Sequence, residues 1–316
     1  MSSFKKLEHN YSIHCWHVEV EVNHKTFGHM VSDVTVCALD LALMFIAVAA
    51  NGLAIFAYRK TTILQTPSNF LLMMLSIVDV ALALTVQPLF FIWKIMEILD
   101  SFSCPIYLAT SLSINFLGAI SFLITSFLVS MERYLSVFHP LMHRRNANKT
   151  VLKLVLLVIS IVWLVFLLVT FFLKHHTLYY IVTASLVALC LLGTIACYRS
   201  IFKEISQRCG DRSMSVDSIT DNRRPSGRFK REKSTLTSMI FIVAAMTLLY
   251  FPIGACVMYA TLIGRDWLYM NFFVPWAYIL VFTSNAIHPF LYGWKNRGMR
   301  QSINGMIRHV FEDTDV

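Results

Sequence analysis

The sequence predicts an all-α membrane protein, a seven-transmembrane helix bundle with a short amphipathic inner helix, and three observations predict it. Of 316 residues, 57% are hydrophobic and 14% charged, whereas soluble chains carry about 45–50% and about 25%. Seven apolar runs have the length of a bilayer crossing. The basic residues fall almost entirely between alternate runs. No single soluble core absorbs such an excess, because soluble cores divide beyond roughly 250–300 residues. A soluble enzyme, a disordered chain and a nucleic-acid binder are therefore excluded, despite a net charge of +9.

A hydrocarbon layer about 30 Å thick takes roughly 20 apolar residues of helix. Runs at 33–58, 68–94, 105–132, 152–173, 178–199, 235–263 and 268–293 meet that length. Strands are excluded as spans, since an open sheet leaves edge groups unpaired in lipid. The polar first thirty residues lack an apolar core with a cleavage site, so the first span is expected to act as the membrane signal. With the N-terminus outside, only Lys5, Lys6, Lys25, Lys94, Lys174 and Arg265 face outward, and the other 21 of 27 basic residues face the cytoplasm. The organisation that follows is an extracellular tail 1–32, a bundle 33–294 and a cytoplasmic amphipathic helix and tail 295–316. The long inner connection 200–234 is polar and reads as disordered or as frayed helix.

Polar groups inside the runs ask for a role, since an ionised side chain at a bilayer centre costs about 2.5–3.5 kcal/mol on insertion scales. Asp79 lies mid-run in the second span, with Asn51, Asn285 and His288 at matching depth. They form either a hydrogen-bonded glue between helices or a state-dependent switch. Glu132-Arg133-Tyr134 closes the third span, and Glu232 opens the sixth where it can pair with Arg133. An ion pair between two helix ends is a two-state element. Pro252 and Pro289 sit inside the sixth and seventh spans, where each removes a helical hydrogen bond.

The ordered set Asn51-Gly52, Leu75 to Asp79, Glu132-Arg133-Tyr134, Pro140-Leu141, Trp163, Tyr198, Pro252, Pro289 and Tyr292 resembles the rhodopsin-like (class A) G-protein-coupled receptors. The resemblance covers nearly the whole chain. It implies a plasma-membrane receptor, not an enzyme, that binds an extracellular agonist and activates a heterotrimeric G protein. In that scheme Arg133 is held by Glu132 and Glu232 at rest and freed as the sixth helix moves, with Tyr198 and Tyr292 supporting the open state. Several positions depart from the pattern. Tyr250 replaces the usual tryptophan before Pro252, Met246 a phenylalanine, His288 the asparagine before Pro289, Cys190 a proline and Ser126 a leucine; the common Asn-Ser pair is reversed as Ser284-Asn285. Elevated basal activity and loss of sodium binding follow as expectations. The absent disulfide to the second outer loop looks most like the melanocortin, cannabinoid, lysophospholipid and adenosine branch. Cys15 and Cys104 are then the cysteines outside membrane and cytoplasm, either bridged or two free thiols.

Opsins in that family carry a retinal-binding lysine in the seventh span, and the run 267–294 has none. Asn115 stands where amine receptors carry aspartate, counted back from Arg133, so a lipid, nucleoside or peptide ligand is expected before a monoamine. The pocket candidates are Asp40, Gln87, Trp93, Ser111, Asn115, Tyr179, Tyr250, Phe251 and Phe282, although aromatic residues at such depths also serve helix packing. No cofactor is expected.

At the N-terminus, Trp16, Val18, Val20 and Val22 alternate with His17, Glu19 and Glu21, a period suited to a short strand that could close the mouth. Seven of eleven histidines lie on the outer side, either a polar surface or a proton or zinc sensor. Asn10-Tyr11-Ser12 is a glycosylation sequon. On the inner side, Met299, Ile303, Met306 and Val310 recur at helical spacing among arginines, a pattern for membrane lipids. Ser226 follows two arginines as a candidate phosphorylation site, and the third inner loop is the expected route to arrestin. The ending Thr314-Asp315-Val316 resembles a ligand for PDZ-domain proteins.

Overall fold

The computed structural model describes residues 11–15, 18–22, 27–138, 149–173, 176–216, 245, 248–256, 258–259 and 269–295. Within them run α1 (Phe27–Lys60), α2 (Pro67–Ile98), α3 (Cys104–Leu123), α4 (Val129–Phe138), α5 (Lys149–Phe172), α6 (His176–Val216) and α7 (Val274–Lys295). Residues 248–256 are helical within the expected sixth span. Five of the helices are long and apolar enough to cross a membrane: α1, α2, α3, α5 and α6.

The tail is more structured than one strand. Strand β1 (Tyr11–Cys15) pairs antiparallel with β2 (Val18–Val22), in a register that sets Ile13 opposite Val20 and Cys15 opposite Val18. Strand β1 lies against α3, which marks the hairpin end of the bundle.

Helix α2 is central, and α1 and α3 pack on its two sides while α7 closes against α1. Thr66 caps α2 by accepting from the Asn69 amide at 3.3 Å, with Pro67 supplying a preset first turn. Pro88 lies within the same helix, a third internal proline that the sequence reading passed over. The antiparallel α1 and α2 meet in a seven-residue ladder, since seven residues are close to two helical turns. Asp33 faces Lys94 at 2.7 Å, and one rung further in Asp40 faces Gln87 at 3.2 Å. Beneath them Ala47, Ala83 and Ala286 form a buried layer of small side chains joining α1, α2 and α7.

Lys94 corrects an expectation. It was assigned to an outer connection, but α2 continues another turn to Ile98 and the lysine is fully buried. Its ammonium is 2.6 Å from Glu97 as well as 2.7 Å from Asp33, so the interior charge is paired on two sides. Of the two readings of 200–234, helical extension is the one seen as far as Val216, where α6 ends.

A π-turn at Ile124–Leu128 joins α3 to α4 within the third span. Each π-turn inserts one residue into the helix. Counting back from Arg133 by an uninterrupted helix therefore displaces everything beyond the turn by one position, about 100° of rotation.

Helix α5 presents Leu154, Val158, Ile161, Val162 and Val165 outward, as a lipid-facing surface requires.

Candidate functional site

The centre of the bundle holds a network of buried polar side chains. Asp79 on α2 is fully buried. Its Oδ2 lies 2.6 Å from His288 Nδ1 on α7, and its Oδ1 accepts from the Ser121 hydroxyl on α3 at 3.0 Å. His288 Nε2 stands 3.4 Å from the Ser284 hydroxyl one turn earlier. Asn51 on α1 donates to the Ala47 and Asn285 carbonyls, each at 3.0 Å. The Tyr250 hydroxyl, from the helical stretch 248–256, donates to Asn285 Oδ1 at 3.3 Å. Five segments of the chain thus meet through one set of hydrogen bonds around a single carboxylate.

Sequence reading placed Asn51, Asp79, Asn285 and His288 together at one depth. It did not name Ser121, the partner that α3 supplies to Asp79. Phe122 instead packs on the Tyr250 ring, with centroids 5.3 Å apart. Asn51 Oδ1 and Asn285 Nδ2 are buried without hydrogen-bond partners, so the network retains one free acceptor and one free donor for an alternative arrangement.

The pocket candidates divide into two groups. Asp40, Gln87, Trp93 and Phe282 belong to the α1, α2 and α7 side, where Phe90 sits edge-on to Trp93 and Phe282 at 5.7 and 5.5 Å. Tyr107 meets Trp93 at 5.2 Å, so this side is filled by aromatic rings. Ser111, Asn115 and Tyr179 belong to the other side. Tyr179 donates to Asn115 Oδ1 at 2.7 Å, and Asn115 Nδ2 donates to the Ser111 carbonyl at 2.7 Å. Trp163 donates to the Asn115 carbonyl at 3.1 Å and stacks on Phe166. Asn115 therefore faces α5 and α6, beside the buried Ile114. Phe251 is 69% exposed and points away from the interior that its neighbour Tyr250 enters.

At the opposite end, Glu132 is buried and Tyr134 stacks on Phe138 at 4.6 Å. Tyr198 is buried in the apolar cluster of Leu71, Leu75, Ile124 and Ile201, against which Tyr134 packs. Pro252 and Pro289 both lie in helical backbone. Tyr292 lies on α7 and Arg133 on α4, with side chains outside the described residues. Glu232, Met246, Asn10, Ser226, Thr314, Val316 and the amphipathic inner segment also lie outside them.

Cys104, at the head of α3, is disulfide-bonded. Cys37, Cys190, Cys197 and Cys256 are free. Among the described residues, no group of three His, Cys, Asp or Glu side chains is placed to hold a metal ion.

A family model described as "7 transmembrane receptor (rhodopsin family)" matches residues 50–178. Melanopsin of Branchiostoma belcheri is 28% identical over 146 residues, covering 43% of this chain and 19% of melanopsin. The chain thus aligns with about a fifth of that relative's length.

Proposed function

From membership of the rhodopsin-like family of seven-transmembrane receptors, to which this chain belongs, we propose that it binds an extracellular ligand and activates a heterotrimeric G protein. The observation that carries the reading is the bond from Tyr250 to Asn285 beside the Asp79–His288 contact. It ties the sixth span to the bundle centre through a hydroxyl, a link that outward movement of that span breaks. Such a two-state element is what a transmembrane switch requires.

The finer parts of the reading rest on sequence. Glu132 and Glu232 restrain Arg133 at rest, and Tyr198 and Tyr292 support the open state. Asn115 and Tyr179 on one side, with Trp93 and Phe282 on the other, are the ligand-facing candidates, and the ligand is a lipid, nucleoside or peptide. The N-terminus is extracellular, glycosylated at Asn10, and the basic rim is cytoplasmic at the plasma membrane. Ser226 and the third inner loop serve kinase and arrestin contacts, and Thr314 to Val316 a PDZ-domain protein.

Receptor-dependent nucleotide exchange on a panel of purified G proteins, in membranes, tests the coupling. Exchange above background that disappears in Arg133→Ala, with surface expression unchanged, supports it. Background exchange for the whole panel, with and without candidate lipids, nucleosides and peptides, favours a non-coupling binding protein. The substitutions at Tyr250, Met246 and His288 are what give that rival its weight.

A further inference from the structure

We infer that Asp40 and Gln87 form a binding site for a small monovalent cation, set between α1 and α2 one ladder rung inside the Asp33–Lys94 ion pair. Asp40 is fully buried and Gln87 is 1% exposed. The Gln87 amide donates to Asp40 Oδ1 at 3.2 Å, which is one neutral hydrogen bond for a whole carboxylate. Asp40 Oδ2 is buried and has no partner.

Among the described residues, no neighbouring cation answers this charge. Lys94, the next rung outward, is held between Asp33 and Glu97. His288 is spent on Asp79, beyond the alanine layer of Ala47, Ala83 and Ala286. A carboxylate in a low-dielectric interior without a counter-charge is strongly disfavoured and is stabilised by whatever cation reaches it.

The donor set selects the kind of ion. Both Asp40 carboxylate oxygens are present, and the Asp40 carbonyl lies 3.5 Å from the Gln87 amide nitrogen. Rotation of the Gln87 amide by half a turn presents its oxygen in place of its nitrogen. Oxygen ligands carrying a single negative charge suit a monovalent ion, whereas calcium takes six to eight oxygens, usually from several carboxylates. The site goes beyond the receptor reading, because it requires neither coupling nor an agonist.

The test uses the full chain in lipid nanodiscs at fixed pH, with sodium chloride replaced by N-methylglucamine chloride at matched ionic strength. Sodium is expected to raise the unfolding midpoint by about 2–4 °C. Asp40→Asn, which keeps an acceptor for Gln87, abolishes the rise, and Asp79→Asn preserves it. Gln87→Glu lowers the sodium concentration needed for half the effect. If Asp40→Asn fails to fold, the Gln87→Glu titration decides, and an unchanged half-point overturns the site. No sodium response in the wild type also overturns it and leaves a proton as the neutralising cation. A response that survives Asp40→Asn or vanishes in Asp79→Asn does the same.

Discussion

His288 Nδ1 lies 2.6 Å from Asp79 Oδ2, and this contact joins α7 to α2 at the centre of the bundle. A neutral imidazole donates Nδ1–H to the carboxylate and accepts from Ser284 through Nε2. A protonated one forms an ion pair and donates through both nitrogens. In either state the ring occupies the space beside Asp79 Oδ2.

His288→Leu removes that partner and leaves Asp79 with Ser121 alone. Leaving a buried hydrogen-bonding group without its partner costs about 1–3 kcal/mol, and more where the group is charged. The thermal midpoint of the purified receptor is expected to fall steeply in the single variant. Adding Asp79→Asn is expected to recover part of the loss, and a double-mutant cycle reads the coupling. Additive losses would separate the two residues energetically.

Tyr250→Phe keeps the ring against Phe122 and deletes only the hydroxyl that reaches Asn285 at 3.3 Å. A hydrogen bond of this kind contributes about 0.5–1.5 kcal/mol. If it holds the sixth span inward, ligand-free nucleotide exchange rises several-fold at equal receptor density. Unchanged exchange in a variant that still folds would remove the bond from the switch.

The fold class and the depth of the central network were legible in the sequence because both depend on hydropathy and on polar residues too costly to be incidental. The partners of those residues were only partly legible. Asp79 and His288 could be matched by depth, but Ser121 carries no mark that sets it apart from the other serines of the third span. Lys94 was misread for a different reason. A lysine near a helix end normally reaches for water, and only the conjunction of Asp33 on α1 with Glu97 one turn away keeps it inside.

The same conjunction predicts what the ladder is for. Lys94→Met removes the ammonium shared by the buried Asp33 and Glu97, and expression and thermal stability are expected to drop by an amount equivalent to about 3–5 kcal/mol. The triple change Lys94→Met, Asp33→Asn, Glu97→Gln removes the three charges of these two ion pairs and is expected to restore most of the stability. Failure of the triple variant to recover would mean that the ions set the register of α1 on α2, not merely each other's charge.

Cys104 is bonded, and Cys15 is the partner we expect for it. Cys37, Cys190, Cys197 and Cys256 are free, leaving Cys15 and Cys209. Tyr179 contacts Asn115 near the hairpin end, and Cys209 lies thirty residues further along the same helix, about 45 Å at the α-helical rise. Bridged cysteines have Cα atoms within about 7 Å, whereas β1 ends at Cys15 and lies against α3. A non-reducing digest is therefore expected to yield one peptide pair carrying Cys15 and Cys104. If Cys15 is that partner, reduction is expected to speed amide exchange in residues 11–22 before the helices respond. Alkylation of Cys15 in the unreduced protein would refute the pairing and leave the hairpin without its strap.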